Sequence, residues 1–501
     1  MRTLADLSID RSSRLTLQDQ LARQIRDLIQ SGALAPGEAL PSTRDLAAEL
    51  EVSRNTAIYA YDRLVSEGYL DSTPRSGIQV SSEAALARHA RRASAMREPA
   101  LPATAPGDRP PLSAPRPFRP CQPDIGLFPL LTWNRLRSRV LRREGRNILH
   151  YQADCVAGLP ALRESVATYL RDHRGVRCDW RQVVITSGSQ QALFLLSLQL
   201  LGARDQAYME DPGYVEARLA CLNAGARVLA GPIDEQGLVP PAPGAGRIAM
   251  IYTTPSRQFP TGVSLSLARR LALIDYAGRT KCWIVEDDYD SELRYGARPL
   301  PSLQSLDNSG RVIYAGTFSK LLFPSLRLGY VVVPEPLLER FIALKHLNDD
   351  HLPLLDQATL ALFLESGAFY SHVRRCRREY AARQKLFLDL FARAGLPVTL
   401  GNADGGMNVV AFLPAGSDDR AWSRQLAEAG FDVPALSHYA MTTRGSGPNG
   451  AGTPPGLVFG FTAFPADPLR DAFQRMLPVL RRAAAASPHR TAPPARKPRR
   501  R

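Results

Sequence analysis

The spacing of apolar positions changes character along the chain, and each change marks a part. Leu17, Leu21, Ile25, Leu28 and Ile29 recur at helical spacing, and Gly32 closes that stretch. Pro36-Gly37 makes a turn. Ser42 is placed to cap a second helix running through Leu50, with Leu46 and Leu50 facing inward. Ser53 caps a third to about Glu67, with Ala57, Tyr61 and Leu64 as its apolar face, and Gly68 ends it. Residues 69–80 then read as two short strands around Pro74-Arg75-Ser76-Gly77. This pattern predicts a small α+β unit over residues 1–80.

Periodicity then stops. Residues 81–118 are rich in Ala, Arg and Pro and read as a solvated linker. From 119 to 482 short apolar runs alternate with helical patterns. The strand candidates are residues 183–187, 206–210, 227–231, 248–254, 282–287, 312–316 and 327–333. Such alternation predicts a large α/β domain around a seven-stranded, mostly parallel sheet covered on both faces. Residues 483–501 form a basic Pro/Ala/Arg tail with no core-forming pattern.

Composition narrows the function classes. Hydrophobic residues make up 45% and charged residues 22%, as in ordinary globular proteins. A net charge of +15 favours a polyanionic partner or a phosphate-bearing ligand. The six cysteines contain no C-x-x-C pair, which points to reduced thiols rather than disulfides or zinc. The histidines show no ligand spacing, so no metal is expected. Residues 1–20 lack an apolar signal core, and the longest apolar stretch, 192–201, is too short to span a bilayer. A cytoplasmic protein is expected, without membrane contact.

The first unit reads as a helix-turn-helix followed by a strand-pair wing. Its third helix opens Ser53-Arg54-Asn55-Thr56, residues able to bond base edges and phosphates, while Arg44 is placed for the backbone and Gly77 for close approach of the wing. The same pattern also serves protein-binding winged helices. The string from Pro36 to Leu70, P-G-E-A-L-P-S-T-R-D-L-A-A-E-L-E-V-S-R-N-T-A-I-Y-A-Y-D-R-L-V-S-E-G-Y-L, resembles the GntR family of winged helix-turn-helix repressors. That resemblance implies binding of double-stranded promoter DNA through Arg44, Ser53, Arg54, Asn55, Thr56, Arg75 and Gly77. Ile58 stands where the family often has arginine.

In the large domain, G-T-F-S-K-L-L-F-P-S-L-R-L-G-Y over residues 316–330 puts Lys320 just past a buried strand, with Arg327 following. An amine there can form a Schiff base with an aldehyde, and the guanidinium and hydroxyls can hold a phosphate. Thr186-Ser187-Gly188-Ser189 lies where a strand passes into a helix, a natural anion site. Tyr214 could lie against a ring. The acids Glu286-Asp287-Asp288 close a buried strand, where open α/β sheets bind ligands.

In this order the segments resemble the fold type I aminotransferases, which bind pyridoxal 5′-phosphate. With the winged helix and linker, the whole chain is similar to the MocR subfamily of GntR regulators, which includes the pyridoxine-synthesis regulators. The resemblance implies Lys320 as the Schiff-base lysine. It implies Ser187, Gly188, Ser189, Thr317 and Arg327 at the phosphate, Asp287 at the pyridine nitrogen, Tyr289 at the ring hydroxyl and Tyr214 stacked on the ring. It further implies a homodimer, with Tyr151 matching a residue that reaches the neighbour's phosphate. Departures bear on turnover: Phe259 replaces an asparagine before P-T-G, and residues 453–460 lack the arginine that commonly binds a substrate carboxylate. The expected function is a transcriptional regulator sensing the cofactor, or an amine or amino acid reacting with it. The alternative is a competent aminotransferase with an accessory DNA-binding domain.

Overall fold

The computed structural model describes residues 7–11, 13, 15–73, 77–82, 116–242, 244, 246–296, 301–441 and 452–486. Arg75, most of the 81–118 segment and the tail from residue 487 lie outside the described residues. The chain divides into two compact units, Met1–Arg109 and Pro110–Arg501.

In the first unit, α1 (Leu17–Ser31), α2 (Thr43–Glu49) and α3 (Arg54–Ser66) each start on a hydroxyl cap. Thr16, Ser42 and Ser53 accept from the backbone N–H three residues on, satisfying donors that a helix N-terminus leaves unpaired. Leu21, Ile25, Leu28 and Ile29 of α1 pack with Leu46, Ala57, Tyr61 and Leu64 into one core. β1 (Leu70–Thr73) and β2 (Gly77–Val80) pair antiparallel, with Leu70 opposite Val80 and Thr73 opposite Gly77.

The second unit is built on an eight-stranded sheet in the order β3-β10-β9-β8-β7-β4-β5-β6. The strands are β3 (Val183–Thr186), β4 (Gln206–Asp211), β5 (Arg227–Asp234), β6 (Gly237–Leu238), β7 (Ile248–Thr253), β8 (Trp283–Asp288), β9 (Val312–Thr317) and β10 (Gly329–Val332). All seven sequence-predicted strands form. The eighth, β6, is a two-residue antiparallel return beside β5 and too short to leave a pattern. The sheet is parallel from β5 through β9, whereas β10 runs antiparallel to both β9 and β3.

Period-two alternation explains why both faces are covered. Val183 and Ile185 enter one core with the helices Pro160–Arg174 and Leu354–Glu365. Val184, Ile313 and Val331 enter another with Gly188–Leu200 and Glu335–Asp349. A further antiparallel sheet was not anticipated: β11 (Thr399–Leu400), β12 (Asn408–Phe412) and β13 (Gly456–Gly460), order β11-β12-β13. It packs on the helices Ala368–Ala394, Asp419–Glu428 and Ala466–Ala486. All six cysteines are free. No described helix is long and apolar enough to cross a membrane.

Candidate cofactor pocket and nucleic-acid interface

Strand β8 ends in three successive acids, and alternation sends them to different places. Glu286 accepts the backbone N–H groups of Leu303 and Gln304, both at 2.8 Å, anchoring a helix start. Asp288, on the same face, forms a buried ion pair with Arg174 at 2.6 Å and accepts from the Tyr314 hydroxyl at 2.6 Å. Asp287 points the other way. Its Oδ2 accepts from the Tyr252 hydroxyl at 2.8 Å, while Oδ1 is buried with no hydrogen-bond partner among the described residues. Burial pushes the Asp287 carboxyl up to about 7, with Lys320 acting the other way.

Lys320 follows the C-terminal end of β9, the neighbour of β8. Among the described residues, its Nζ makes one hydrogen bond, donated to the Cys121 carbonyl oxygen at 3.1 Å. The Tyr289 hydroxyl, just past β8, is buried and unpartnered among the described residues, as is the Ser319 hydroxyl beside the lysine. A primary amine, a carboxylate oxygen and a phenol thus converge at the C-terminal ends of parallel strands. The unsatisfied Asp287 and Tyr289 atoms fit a ring bearing one N–H and one oxygen, so these residues fit pyridoxal phosphate.

The phosphate candidates come from a second convergence. In register, Gly329 of β10 lies opposite both Thr186 and Thr317, which brings the ends of β3 and β9 together. A Cβ at Gly329 would stand 2.8 Å from the Gly188 backbone, so no side chain fits there. Ser187 precedes the helix Gly188–Leu200, and Ser189 lies in its first turn. Arg327, at a left-handed φ of 50°, lays its guanidinium over Gly188 and donates to the Ser187 carbonyl at 3.0 Å. A helix N-terminus facing a guanidinium suits a dianion.

Tyr214 lies edge-on to Phe259, with ring centroids 6.0 Å apart, and Phe259 is likewise edge-on to Tyr289 at 6.0 Å. Burial pushes the Tyr214 phenol well up; Glu216 and Asp287 add to this and Arg327 opposes it. Sequence reasoning missed the neighbouring Arg257–Asp290 pair. Arg257 is buried, donates to the Asn408 carbonyl and lies 3.6 Å from Asp290. Both Asp290 carboxylate oxygens lack hydrogen-bond partners among the described residues, and burial raises this carboxyl to about 7. Tyr252 and the Cys121 carbonyl were missed too. A polar hydroxyl inside the apolar run of β7 could have flagged Tyr252, but nothing in the sequence marks a backbone carbonyl. Tyr151 is not part of the pocket within one chain: it is 89% exposed and meets His351 edge-on.

In the first unit, Arg44, Ser53, Arg54 and Asn55 are exposed and Thr56 is half-buried. The Ser53 hydroxyl is engaged in the cap, bonded to the Thr56 N–H at 3.1 Å and the Thr56 hydroxyl at 2.8 Å. Arg54 and Asn55 stand exposed in the first turn of α3. Gly77 opens β2 at φ 83°, a conformation glycine adopts freely.

Residues 17–80 match the family described as bacterial regulatory proteins, gntR family, and residues 132–446 match aminotransferase class I and II. The chain is 41% identical over 436 residues to the probable rhizopine catabolism regulatory protein MocR of Rhizobium meliloti, covering 83% of this chain and 86% of that protein. It is 34% identical over 472 residues to the HTH-type pyridoxine biosynthesis transcriptional regulator PdxR of Corynebacterium glutamicum, covering 93% and 97%. Among solved structures, the α-aminoadipate aminotransferase LysN from Thermus thermophilus matches with a TM-score of 0.65 and 29% identity, over 74% of this chain and 92% of that one.

Proposed function

Since the chain belongs to the MocR subfamily of GntR-type transcriptional regulators, we propose that it binds pyridoxal 5′-phosphate at Lys320 and reads promoter DNA through α3 and the wing. The observation that carries the first half is the pair of buried, unsatisfied atoms, Asp287 Oδ1 and the Tyr289 hydroxyl, beside Lys320. When bound, the cofactor supplies an aldehyde that condenses with amines. Asp287 holds the proton of the ring nitrogen, and Tyr289 donates to the ring oxygen. Arg327, Ser187, Gly188, Ser189 and Thr317 hold the phosphate, with Tyr214 against the ring. Phe259 closes the ring side with apolar surface.

The effector is an amine or amino acid that competes with Lys320 for the aldehyde. A ligand of this kind shifts DNA occupancy only through different affinities for two states of the protein. At the DNA, Arg54 and Asn55 reach base edges, Arg44 and Arg75 contact phosphates, and Ser53, Thr56 and Gly77 shape the approach. A homodimer is supported by the apolar surface around residues 130–151, where Leu131, Leu149 and Tyr151 are 87%, 72% and 89% exposed.

Visible absorbance and borohydride trapping test the reading. Wild-type protein with added pyridoxal phosphate is expected to turn yellow and, after reduction, to carry the cofactor on the Lys320 peptide. Lys320→Ala is expected to do neither while still protecting its operator in a footprint. A colourless wild-type protein would overturn the proposal.

A further inference from the structure

The contact between Lys320 and Cys121 joins the pocket to the stretch where the described residues of the large unit begin, at residue 116. Residues 116–124 form a strap across the small sheet. The Phe118 carbonyl accepts from the Gly460 N–H at 2.8 Å, and the Pro117 carbonyl from Asp432 N–H at 3.1 Å. The Gln122 carbonyl accepts from the Thr462 hydroxyl at 2.6 Å. The strap lies so close to β13 that a Cβ on Gly460 would collide with the Arg119 carbonyl oxygen. Its far end is fixed at Asp124, whose N–H donates to the Tyr380 hydroxyl at 2.9 Å and whose carboxylate pairs with Arg383 at 2.8 Å.

Between those anchors the backbone is strained. Phe118 and Cys121 adopt left-handed φ values of 68° and 57°, which a side chain other than glycine holds only when its surroundings impose it. The Phe118 ring is one such constraint, packed against Phe387, Phe431 and Phe459. At Cys121 the thiol donates to the Asn408 side-chain oxygen at 3.4 Å, and the carbonyl accepts from Lys320.

We infer that Lys320 is the latch of this strap, and that covalent capture of its amine by an aldehyde releases residues 116–124. The inference rests on the assignment of Lys320 as the Schiff-base lysine and extends it to regulation. In the capture step a carbon–nitrogen double bond forms at the expense of the aldehyde carbon–oxygen bond. The oxygen leaves as water with both amine hydrogens, and no oxidant or reductant takes part. Lys320 then has at most one N–H, fixed in direction by a planar double bond, so it no longer holds the Cys121 carbonyl. An effector amine that displaces Lys320 from the aldehyde restores the free amine and closes the latch. Strap state therefore follows the covalent state of Lys320 rather than occupancy of the pocket.

Hydrogen exchange on the full-length chain tests this. It is followed on the peptide covering residues 116–124 and on the Gly460 amide, with no ligand, with pyridoxal 5′-phosphate and with pyridoxamine 5′-phosphate, which fills the same pocket but has no aldehyde. The aldehyde is expected to speed exchange roughly tenfold, the scale of one hydrogen bond. The amine form is expected to leave exchange slow, and Lys320→Ala to exchange fast in all three conditions. Borohydride fixation on Lys320 with unchanged strap exchange would overturn the latch alone. Equal effects of the two ligands, or slow exchange in Lys320→Ala, would overturn it as well. Absence of fixation would overturn the assignment of Lys320 and the latch with it.

Discussion

Asp287 and Asp290 lie three residues apart, both buried, and both carboxyls are raised to about 7 by loss of solvent. Their surroundings differ. Asp287 keeps one oxygen bonded to Tyr252 and one open, as a group awaiting a cationic N–H would be. Asp287→Asn is therefore expected to weaken cofactor binding by roughly 10- to 100-fold, the scale of a charge-assisted hydrogen bond, in an absorbance titration. Asp290 titrates against Arg257. Its folded value lies above its unfolded value near 3.8, so the native state binds this proton more tightly. Its stabilising contribution is present below about pH 4 and is lost as pH rises towards about 7. Denaturation midpoints of the cofactor-free protein should show wild type losing stability relative to Asp290→Asn by about 2 kcal/mol between about pH 5 and pH 8. A pH-independent difference would contradict this.

At the level of elements, strand alternation and helix caps were legible because each depends on a few neighbouring residues. The Ser42 and Ser53 caps follow from the hydroxyl before an apolar stripe, and both are present. Ser53→Ala should lower the stability of the first unit by about 1 kcal/mol, read by thermal unfolding of that unit. The small sheet was not legible. β11 has two residues, and β12 and β13 pair across more than forty intervening residues, so no local period announces them. Within the pocket, side chains on strand ends could be proposed from type and order. Contacts made by backbone, such as the Cys121 carbonyl, could not. The three acids of β8 illustrate the boundary: the sequence marks an acidic strand end, and only the pleat decides which acid turns away from the other two. Gly329→Ala places a methyl against the Gly188 backbone. It should abolish yellow colour even where circular dichroism shows a folded domain.

For the whole molecule, the division into two units sets what can be varied separately. Arg54→Ala is expected to reduce operator affinity by about 1–3 kcal/mol if it reads a base edge, with relaxed sequence preference at one position. It should leave cofactor absorbance unchanged. Competition footprints on mutated operators would check this; a uniform loss across sequences would make Arg54 a phosphate contact instead.

The strap also fixes where the chain can be cut and rejoined. Residues 116–124 precede the first helix of the large unit, yet they complete the small sheet's edge and supply the lysine's partner. A hybrid carrying a foreign DNA reader joined upstream of residue 116 keeps an intact pocket. A junction placed after Cys121 would exchange the reader and dismantle the receptor in one stroke. A junction that spares the pocket therefore belongs before the strap, because residues 116–124 carry the carbonyl that touches Lys320.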